Sequence, residues 1–517
     1  GGGGGSTPSS AGNPTPVATA PTLTSLSAAQ AVIPAGGSTT ITATFAQGTG
    51  TLTPGGIAVT SGVPVTVNPV ATTLDTLTVS GSGGSVSQPV LVGVRKPTYE
   101  LVSFTPTGYV SNPGNLSDFT CSADGRFVAF SYPFDDLVPG DTNGQADVFV
   151  RDRQSGTTTL VSRAADGTLS NGLSAHPRIS ADGHYVVFDS TATNLVAGHA
   201  GRTRRDVYRK DLQSGAILCA SVDNAGALAN ADSDGPSVSA DGRYLAFTST
   251  GDLANLGVVI TTYAAYVRDL VGNTTSVVSR KGGTWGLGVN PVISGDGTQV
   301  IYESWGDNLA LGGNATYWQL YRFNRTTQAT TLVTANLAGS PRNGGSESSS
   351  RSIQAATSAD GRYVTFCTTS DNLVTGVAGV TGLVQNVYVK DTQTGDIALL
   401  SQNTSGAAGN GDSTGSQGGR AAISADGTWV TYSTHATNLM GAQYSTAAVN
   451  IFSGRTDVLE PATSSFIGDT DPFISPDVHG RFVLLKGARP LDPRHASNGI
   501  FLMDRHAAPV ADAGPNQ

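Results

Sequence analysis

From residue 117 to residue 503 the apolar positions fall in short runs, each bounded by Gly, Pro, Asn or Asp, and the runs recur at a steady interval. Phe127-Val128-Ala129-Phe130, Tyr185-Val186-Val187-Phe188 and Tyr244-Leu245-Ala246-Phe247 are too short for helices and rich in aromatic and β-branched residues, so each predicts a buried strand. A fixed signal precedes each of them. Ser122-Ala123-Asp124-Gly125 returns as Ser180-Ala181-Asp182-Gly183 and Ser239-Ala240-Asp241-Gly242, then within Ser294 to Tyr302, Ser358 to Phe366 and Ser424 to Tyr432. A seventh copy, Ser475-Pro476-Asp477-Val478-His479-Gly480, carries two extra residues between Asp477 and Gly480. Gly supplies a positive φ and the Asp carboxylate accepts backbone N–H groups, so each copy predicts a hairpin turn whose residues are there for turn chemistry.

Three further strands accompany each turn. A short one leads in, as at Pro177-Arg178-Ile179, Pro236-Ser237-Val238 and Pro291-Val292-Ile293, with Pro at the first position, where its missing N–H need not pair. A third follows at Asp147 to Val150, Asp206 to Tyr208 and Asn386 to Val389, and a fourth at Thr158 to Ser162, Ser276 to Ser279 and Ile397 to Ser401. A repeat of this period with one Gly turn per unit predicts an all-β fold, a seven-bladed β-propeller with four-stranded blades. The first fourth-type strand, Tyr99 to Phe104, stands ahead of the first unit, and the last unit stops after its third strand, Gly499 to Met503. Pairing the two would close the ring and remove an open edge.

The repeat resembles the WD-repeat-like propeller repeats of the TolB type, with the signature Pro-x-x-Ser-x-Asp-Gly followed by an apolar strand. The resemblance covers residues 99–506 and implies fold, while function stays open because such repeats serve accessory proteins, peptidase propeller domains and surface proteins alike. TolB has six blades behind a different N-terminal domain, so its role in the Tol complex is not implied. Ahead of the repeats, Thr22 to Val94 holds one ionisable residue, Asp75, and alternations such as Thr39-Thr40-Ile41-Thr42-Ala43-Thr44-Phe45. Residues 21–95 resemble bacterial immunoglobulin-like domains, which implies a small β-sandwich acting as a spacer. Residues 1–20 read as a Gly/Ser/Pro-rich tether. Its Gly-run resembles the segment after the acylated cysteine of bacterial lipoproteins, which implies a lipid anchor upstream, an ordinary linker being the alternative. Residues 507–517, with Ala508-Pro509-Val510-Ala511-Asp512-Ala513-Gly514, resemble the first strand of a PKD domain, or form a linker.

Composition narrows the class. Of 517 residues 13% are charged and 66 are Gly, which rules out long helical bundles. No stretch approaches the roughly 20 apolar residues of a spanning helix, so a soluble chain is expected. A net charge of −9 with no long basic run makes nucleic acid a poor partner. Cys121, Cys219 and Cys367 have no metal-ligand spacing and read as small buried thiols. Five lysines and abundant Thr, Gly and Asn fit an exported protein, extracellular or on the outer surface, with the periplasm as alternative.

Catalytic signals are weak. Gly411-Asp412-Ser413-Thr414-Gly415 is similar to the nucleophile segment of trypsin-like proteases but lies in a Gly/Ser/Asn loop without a placed His/Asp partner. After Met503 there is no α/β-hydrolase domain such as the propeller-bearing prolyl oligopeptidases need. The sialidase turn motif differs, and Glu303, Glu347 and Glu460 are too scattered for a carboxylate pair. The seven histidines show no metal spacing. Two constellations remain. Asp141, Asn143 and Asp147 place oxygen side chains around a Gly-permitted turn, a hard-oxygen pattern that suits calcium, with an Asx-rich connector as the alternative. Asp118, Asp232, Asp234, Asp412, Asp469 and Asp471 lie in loops entering the innermost strands, where converging carboxylates at the channel mouth would hold a cation or a basic peptide. The expectation is a non-enzymatic exported or cell-surface protein that offers the propeller as a platform for a protein or glycan. The alternatives are a subunit of an extracellular fibre, and a carbohydrate-active hydrolase or lyase with its site in the channel.

Overall fold

In a computed structural model the chain is described over residues 19–505, apart from residues 35–37, 70–72, 96–97, 104–116, 200, 202–203, 256–261, 282–283, 306–308, 310–316, 344–354, 381–383, 414–420, 441–444, 455, 461–472, 475–480 and 489–497. Nearly all regular structure is β. The chain divides into two compact units, one up to Pro97 and one spanning Thr98–Arg505.

The first unit contains two sheets. Thr22–Ala28, Thr39–Ala46 and Val65–Val67 form one; the other orders Val32–Pro34, Gly84–Arg95, Thr73–Gly81, Thr49–Thr53 and Ile57–Val59. The alternation read at Thr39 to Phe45 turns Ile41 and Ala43 inward, onto Leu52, Leu77, Val79 and Val92 in a shared apolar core. Burying one side of each strand and wetting the other is what period-two patterning specifies.

The second unit contains seven four-stranded antiparallel sheets among the described residues. In the first, Ser117–Cys121, Phe127–Tyr132, Asp147–Asp152 and Thr157–Leu160 pair in chain order. The second (Ser174–Ile179 to Ile217–Cys219) and third (Ser233–Val238 to Thr274–Val277) repeat it, and the fourth, fifth and sixth start at Val289, Ala356 and Ala422. The seventh takes three strands from the chain's end, Phe473–Ile474, Phe482–Ala488 and Asn498–Asp504, and its fourth, Thr98–Leu101, from the start of the unit. Met503 faces Tyr99 and Leu502 faces Glu100 in this pairing. The strand is shorter than the sequence suggests, because beyond it Ser103 Oγ takes the Ile500 N–H at 2.9 Å. First strands of successive sheets touch, and Phe482–Ala488 of the seventh meets Ser117–Cys121 of the first. Phe482, Leu484, Ile500 and Leu502 accordingly share a core with Phe119, Val128 and Phe130.

The turn residues do what their chemistry allows. In the six described copies the Ser hydroxyl donates to the Asp carboxylate at 2.5–2.6 Å, and the same carboxylate takes a backbone N–H two residues on at 2.8–3.0 Å. The seventh copy lies outside the described residues. Successive turns are also stapled to one another: Ala123 N–H reaches Ala181 O, Ala181 reaches Ala240, Ala240 reaches Gly295, and Ala359 reaches Ala425, at 2.8–3.0 Å. The turn Gly has a second reason to lack a side chain. A Cβ on Gly242 (φ +71°) would lie 2.2 Å from Tyr185 Cδ2, and one on Gly183 would lie 2.4 Å from Phe127, so five of the six described turns seat an aromatic ring of the preceding sheet, while Gly361 seats Gln299. Arg126, Arg243, Arg362 and Arg481, just after their turns, fork onto Asp152, Asp269, Asp391 and Asp504 across the same sheet.

Candidate functional site

The first strands of the sheets are not regular. Their register shifts between Ser117 and Thr120, Ala175 and Arg178, Asp234 and Ser237, and Val289 and Val292. At each shift one residue has a positive φ: Asp118 (46°), His176 (53°), Gly235 (59°) and Asn290 (51°). Pro177, Pro236 and Pro291 follow directly, so the strands begin about three residues earlier than read from the sequence. Pro sits at a bulge, where the ladder is already interrupted, rather than at a strand start. Left-handed backbone at non-Gly residues costs energy and gathers at functional sites.

Around His176 these bulges build one polar cluster. His176 Nδ1 lies 2.7 Å from Asp189 Oδ2, and Asp189 is wholly buried. Asp189 also accepts from Arg205 Nη1 at 2.9 Å and from the Gly235 N–H at 3.1 Å, which ties the second sheet to the third. The imidazole itself is 40% exposed, with Nε2 3.9 Å from Asp118 Oδ2 on the first sheet. Its pKa is raised, first by the hydrogen bond to Asp189 and then by the charges of Asp189 and Asp118 against opposing burial and Arg178. Asp234 is pushed up by burial and by Asp189, with Arg205 and His176 opposing. An accessible proton-carrying ring backed by a buried carboxylate and flanked by further acids can bind a cationic group or move a proton. Two sheets on, Asn290 Nδ2 donates to the buried Glu303 at 3.1 Å, the same pairing of bulge residue with second-strand carboxylate.

Of the six acids expected at a channel mouth, Asp118 and Asp234 belong to this cluster. Asp232 sits at its edge, accepting the Arg205 N–H at 2.9 Å. Asp412 accepts the Gln385 N–H at 2.8 Å in the same manner, so both secure the loop before a third strand. Asp469 and Asp471 lie outside the described residues. His176, Asp189 and Arg205 were missed by sequence reasoning. Counting four residues back from each of the first four turn serines gives Asp118, His176, Gly235 and Asn290, and that column is the signal that would have found the histidine.

The proposed calcium residues share one loop of the first sheet. Asp147 is buried, accepting from Ser162 Oγ and from Asn143 Nδ2 at 2.7 Å. Asn143 Oδ1 takes the Gln145 N–H at 2.9 Å. Asp141 is 5% exposed, neither of its carboxylate oxygens has a well-formed hydrogen bond among the described residues, and its pKa rises to about 6, through burial first and then Asp147 and Asp135, against smaller effects of the nearby Asn143 N–H and Arg163. Asp147 and Ser162 follow a pattern: Asp206 with Ser221, Gln319 with Thr334 and Asn386 with Ser401 make the same link from the third strand to the end of the fourth. Cys121 and Cys367 are buried, Cys219 is half-buried, and no disulfide joins them among the described residues. No described helix is long and apolar enough to cross a membrane.

These features define an all-β repeat protein whose four-stranded sheets carry a polar cluster at their bulged first strands. No protein-family model matches the chain, and no curated protein matches it in sequence. Solved structures similar to it include TolB-like propellers and propeller enzymes. TolB from Acinetobacter baumannii is 15% identical with a TM-score of 0.36, over 66% of this chain and 63% of that one. Oligogalacturonate lyase from Vibrio parahaemolyticus is 11% identical with a TM-score of 0.43, over 79% and 97%. An acylaminoacyl peptidase is 11% identical with a TM-score of 0.43, over 75% and 51%. The chain thus spans under two thirds of TolB and about half of the peptidase, and at such identities these likenesses say nothing of activity.

Proposed function

We propose that residues 99–506 are a seven-bladed β-propeller behind an immunoglobulin-like spacer at residues 21–95, and that the protein is a non-enzymatic, exported or cell-surface binding platform. Its partner binds at the bulged rim through a cationic group, such as a Lys- or Arg-rich segment of another protein. The observation that carries this is the cluster at His176, where Asp118, Asp189, Asp232 and Asp234 outnumber Arg178, Arg205 and the imidazole, which remains reachable from solvent. Carboxylates gathered on low-dielectric walls focus a negative potential and recruit positive ligands. Fluorescence-anisotropy titration of the full chain with short basic peptides and with neutral oligosaccharides tests it. Basic peptides should bind, more weakly as salt rises, and Asp118→Asn with Asp234→Asn should remove most of the affinity. Salt-independent binding of a neutral glycan, untouched by these changes, would overturn the cationic reading.

The His176–Asp189 pair favours a second reading, proton-transfer chemistry by a hydrolase or lyase. A Nδ1 held by a buried carboxylate leaves Nε2 to act as general base. Turnover on a glycan, ester or peptide panel that disappears in His176→Gln would place the protein among enzymes instead.

A further inference from the structure

The loop between the second and third strands of the first sheet can be compared with its counterparts in the same chain. Leu137-Val138-Pro139-Gly140-Asp141 corresponds to Leu195-Val196-Ala197-Gly198-His199 and to Leu373-Val374-Thr375-Gly376-Val377. The leucines are buried at 1–2% exposure and the glycines all have positive φ, at 85°, 85° and 76°. The residue after the glycine therefore holds one position in three sheets. In the second sheet that residue is His199, whose Nδ1 lies 3.4 Å from Asp206 Oδ2 and 2.9 Å from the Tyr208 hydroxyl. There an acid is met by an imidazole. In the fifth sheet Val377 accompanies the neutral Asn386, and no charge needs an answer.

In the first sheet the same position is Asp141, beside another acid, Asp147. The Asp147 oxygens are supplied by Ser162 and Asn143. Those of Asp141 are buried and have no well-formed hydrogen bond among the described residues, the Asn143 N–H acting on them only weakly. Asp135 is also close, with its carboxylate on the Gly144 N–H at 3.1–3.2 Å. Arg163 is near enough to be felt by both Asp141 and Asp147, though no hydrogen bond between it and either stands among those of the described residues. A buried carboxylate without a partner is costly. No imidazole stands in the first sheet where His199 stands in the second, and the Asn143 N–H and Arg163 answer the Asp141 charge only in part, which leaves room for a cation from outside the chain. Its donors are oxygens only, with neither imidazole nor thiol on the loop, and such a set selects hard divalent ions over zinc or copper.

We propose that the loop from Asp135 to Asp147 binds a divalent cation of the calcium class, with Asp141 as its anchoring carboxylate. Asp135 and Asp147 supply the surrounding negative charge. Among the described residues no three acidic, His or Cys side chains stand together as a finished metal cluster, so the remaining ligands are backbone carbonyls and water, as is common for calcium. The site shares no residue with the His176 cluster, and either proposal can fail without the other.

The test is calorimetric titration of the chelator-treated full chain with CaCl2 up to about 10 mM, covering the millimolar range of extracellular calcium modules, with terbium luminescence as a second readout. One site is expected, weakened at least tenfold by Asp141→Asn and unchanged by Asp118→Asn. Far-UV circular dichroism establishes that the variant is folded. Should Asp141→Asn fail to fold, the half-buried Asp135 decides, and Asp135→Asn is expected to weaken calcium several-fold. Absence of calcium or terbium binding in the parent chain, or binding that neither Asp141→Asn nor Asp135→Asn alters, would overturn the proposal.

Discussion

Replacing Gly242 by Ala isolates the seat on which the turn of the third sheet receives the Tyr185 ring of the second. Two penalties add. At φ +71° an L-residue is left-handed, which costs roughly 1–2 kcal/mol. The new Cβ would also stand 2.2 Å from Tyr185 Cδ2 and 2.8 Å from Cγ, whereas carbon atoms pack at about 3.5–4.0 Å. The ring must therefore retreat by more than about 1 Å. It has little room: the Arg209 guanidinium stacks 4.3 Å from its centroid while Arg209 Nη1 holds Gly242 O at 3.0 Å. Overpacking of this kind costs roughly 1–3 kcal/mol, so the expected loss is about 2–5 kcal/mol. Gly226→Ala is the control, since Gly226 has φ +83° with nothing within 4 Å of an added Cβ and should lose only the roughly 1–2 kcal/mol of backbone strain. Urea denaturation followed by tryptophan fluorescence compares the two, and adding Tyr185→Ala to Gly242→Ala completes a double-mutant cycle. Equal losses for Gly242→Ala and Gly226→Ala, or a cycle with no coupling, would refute the idea that the ring and the turn press on each other.

Two further outcomes follow from the hydrogen bonds. Because Asp189, and behind it Asp118, raise the His176 pKa against Arg178, protonated His176 stabilises the fold fully below the ordinary histidine value of about 6.5, and that contribution is lost as pH rises through the raised value. The stability gap between the parent and His176→Gln should then be widest near pH 5.5 and shrink by pH 9, measured by urea midpoints; an imidazole that titrates below about 6.5 by NMR contradicts this. Ser221→Ala removes the acceptor of the buried Val207 N–H, at 3.1 Å, and a donor to Asp206, at 2.9 Å. It should cost about 1–3 kcal/mol in thermal melts, whereas Ser221→Thr should be nearly silent because Thr334 fills the same role in the fourth sheet.

The sheets were legible because turn chemistry is local. Ser, Asp and Gly at fixed offsets satisfy one another within a few residues, so the copies could be read from sequence, and in the six described ones the hydrogen bonds appear as expected. The bulges were not legible from one unit alone. Pro177 reads as a strand start, and only the ladder on both sides of it reveals that His176 interrupts the register. The burial of Asp189 was hidden for a related reason: its three partners come from a bulge, a loop and the next sheet, at sequence distances of 13, 16 and 46. Nor did composition announce the Arg forks, since Arg126 and Asp152 meet only after a strand and a long loop have folded back.

Joining Thr98–Leu101 to Asn498–Asp504 sets an order of events. Ser103 and Ile500, bonded at the closure, are 397 residues apart, whereas the other six sheets are each contiguous in sequence. Those six can form from the N-terminal side as the chain is synthesised, each offering its turn to the one before. The seventh cannot begin until the last strands exist, and closing so long a loop in an unfolded chain would cost about 5 kcal/mol in entropy beyond a constant term. The route that avoids this is for closure to come last, between surfaces already held near each other by the completed sheets. Until then Thr98–Leu101 waits as an unpaired edge, and a molecule interrupted at that stage is the one most prone to take its missing strands from another copy of itself.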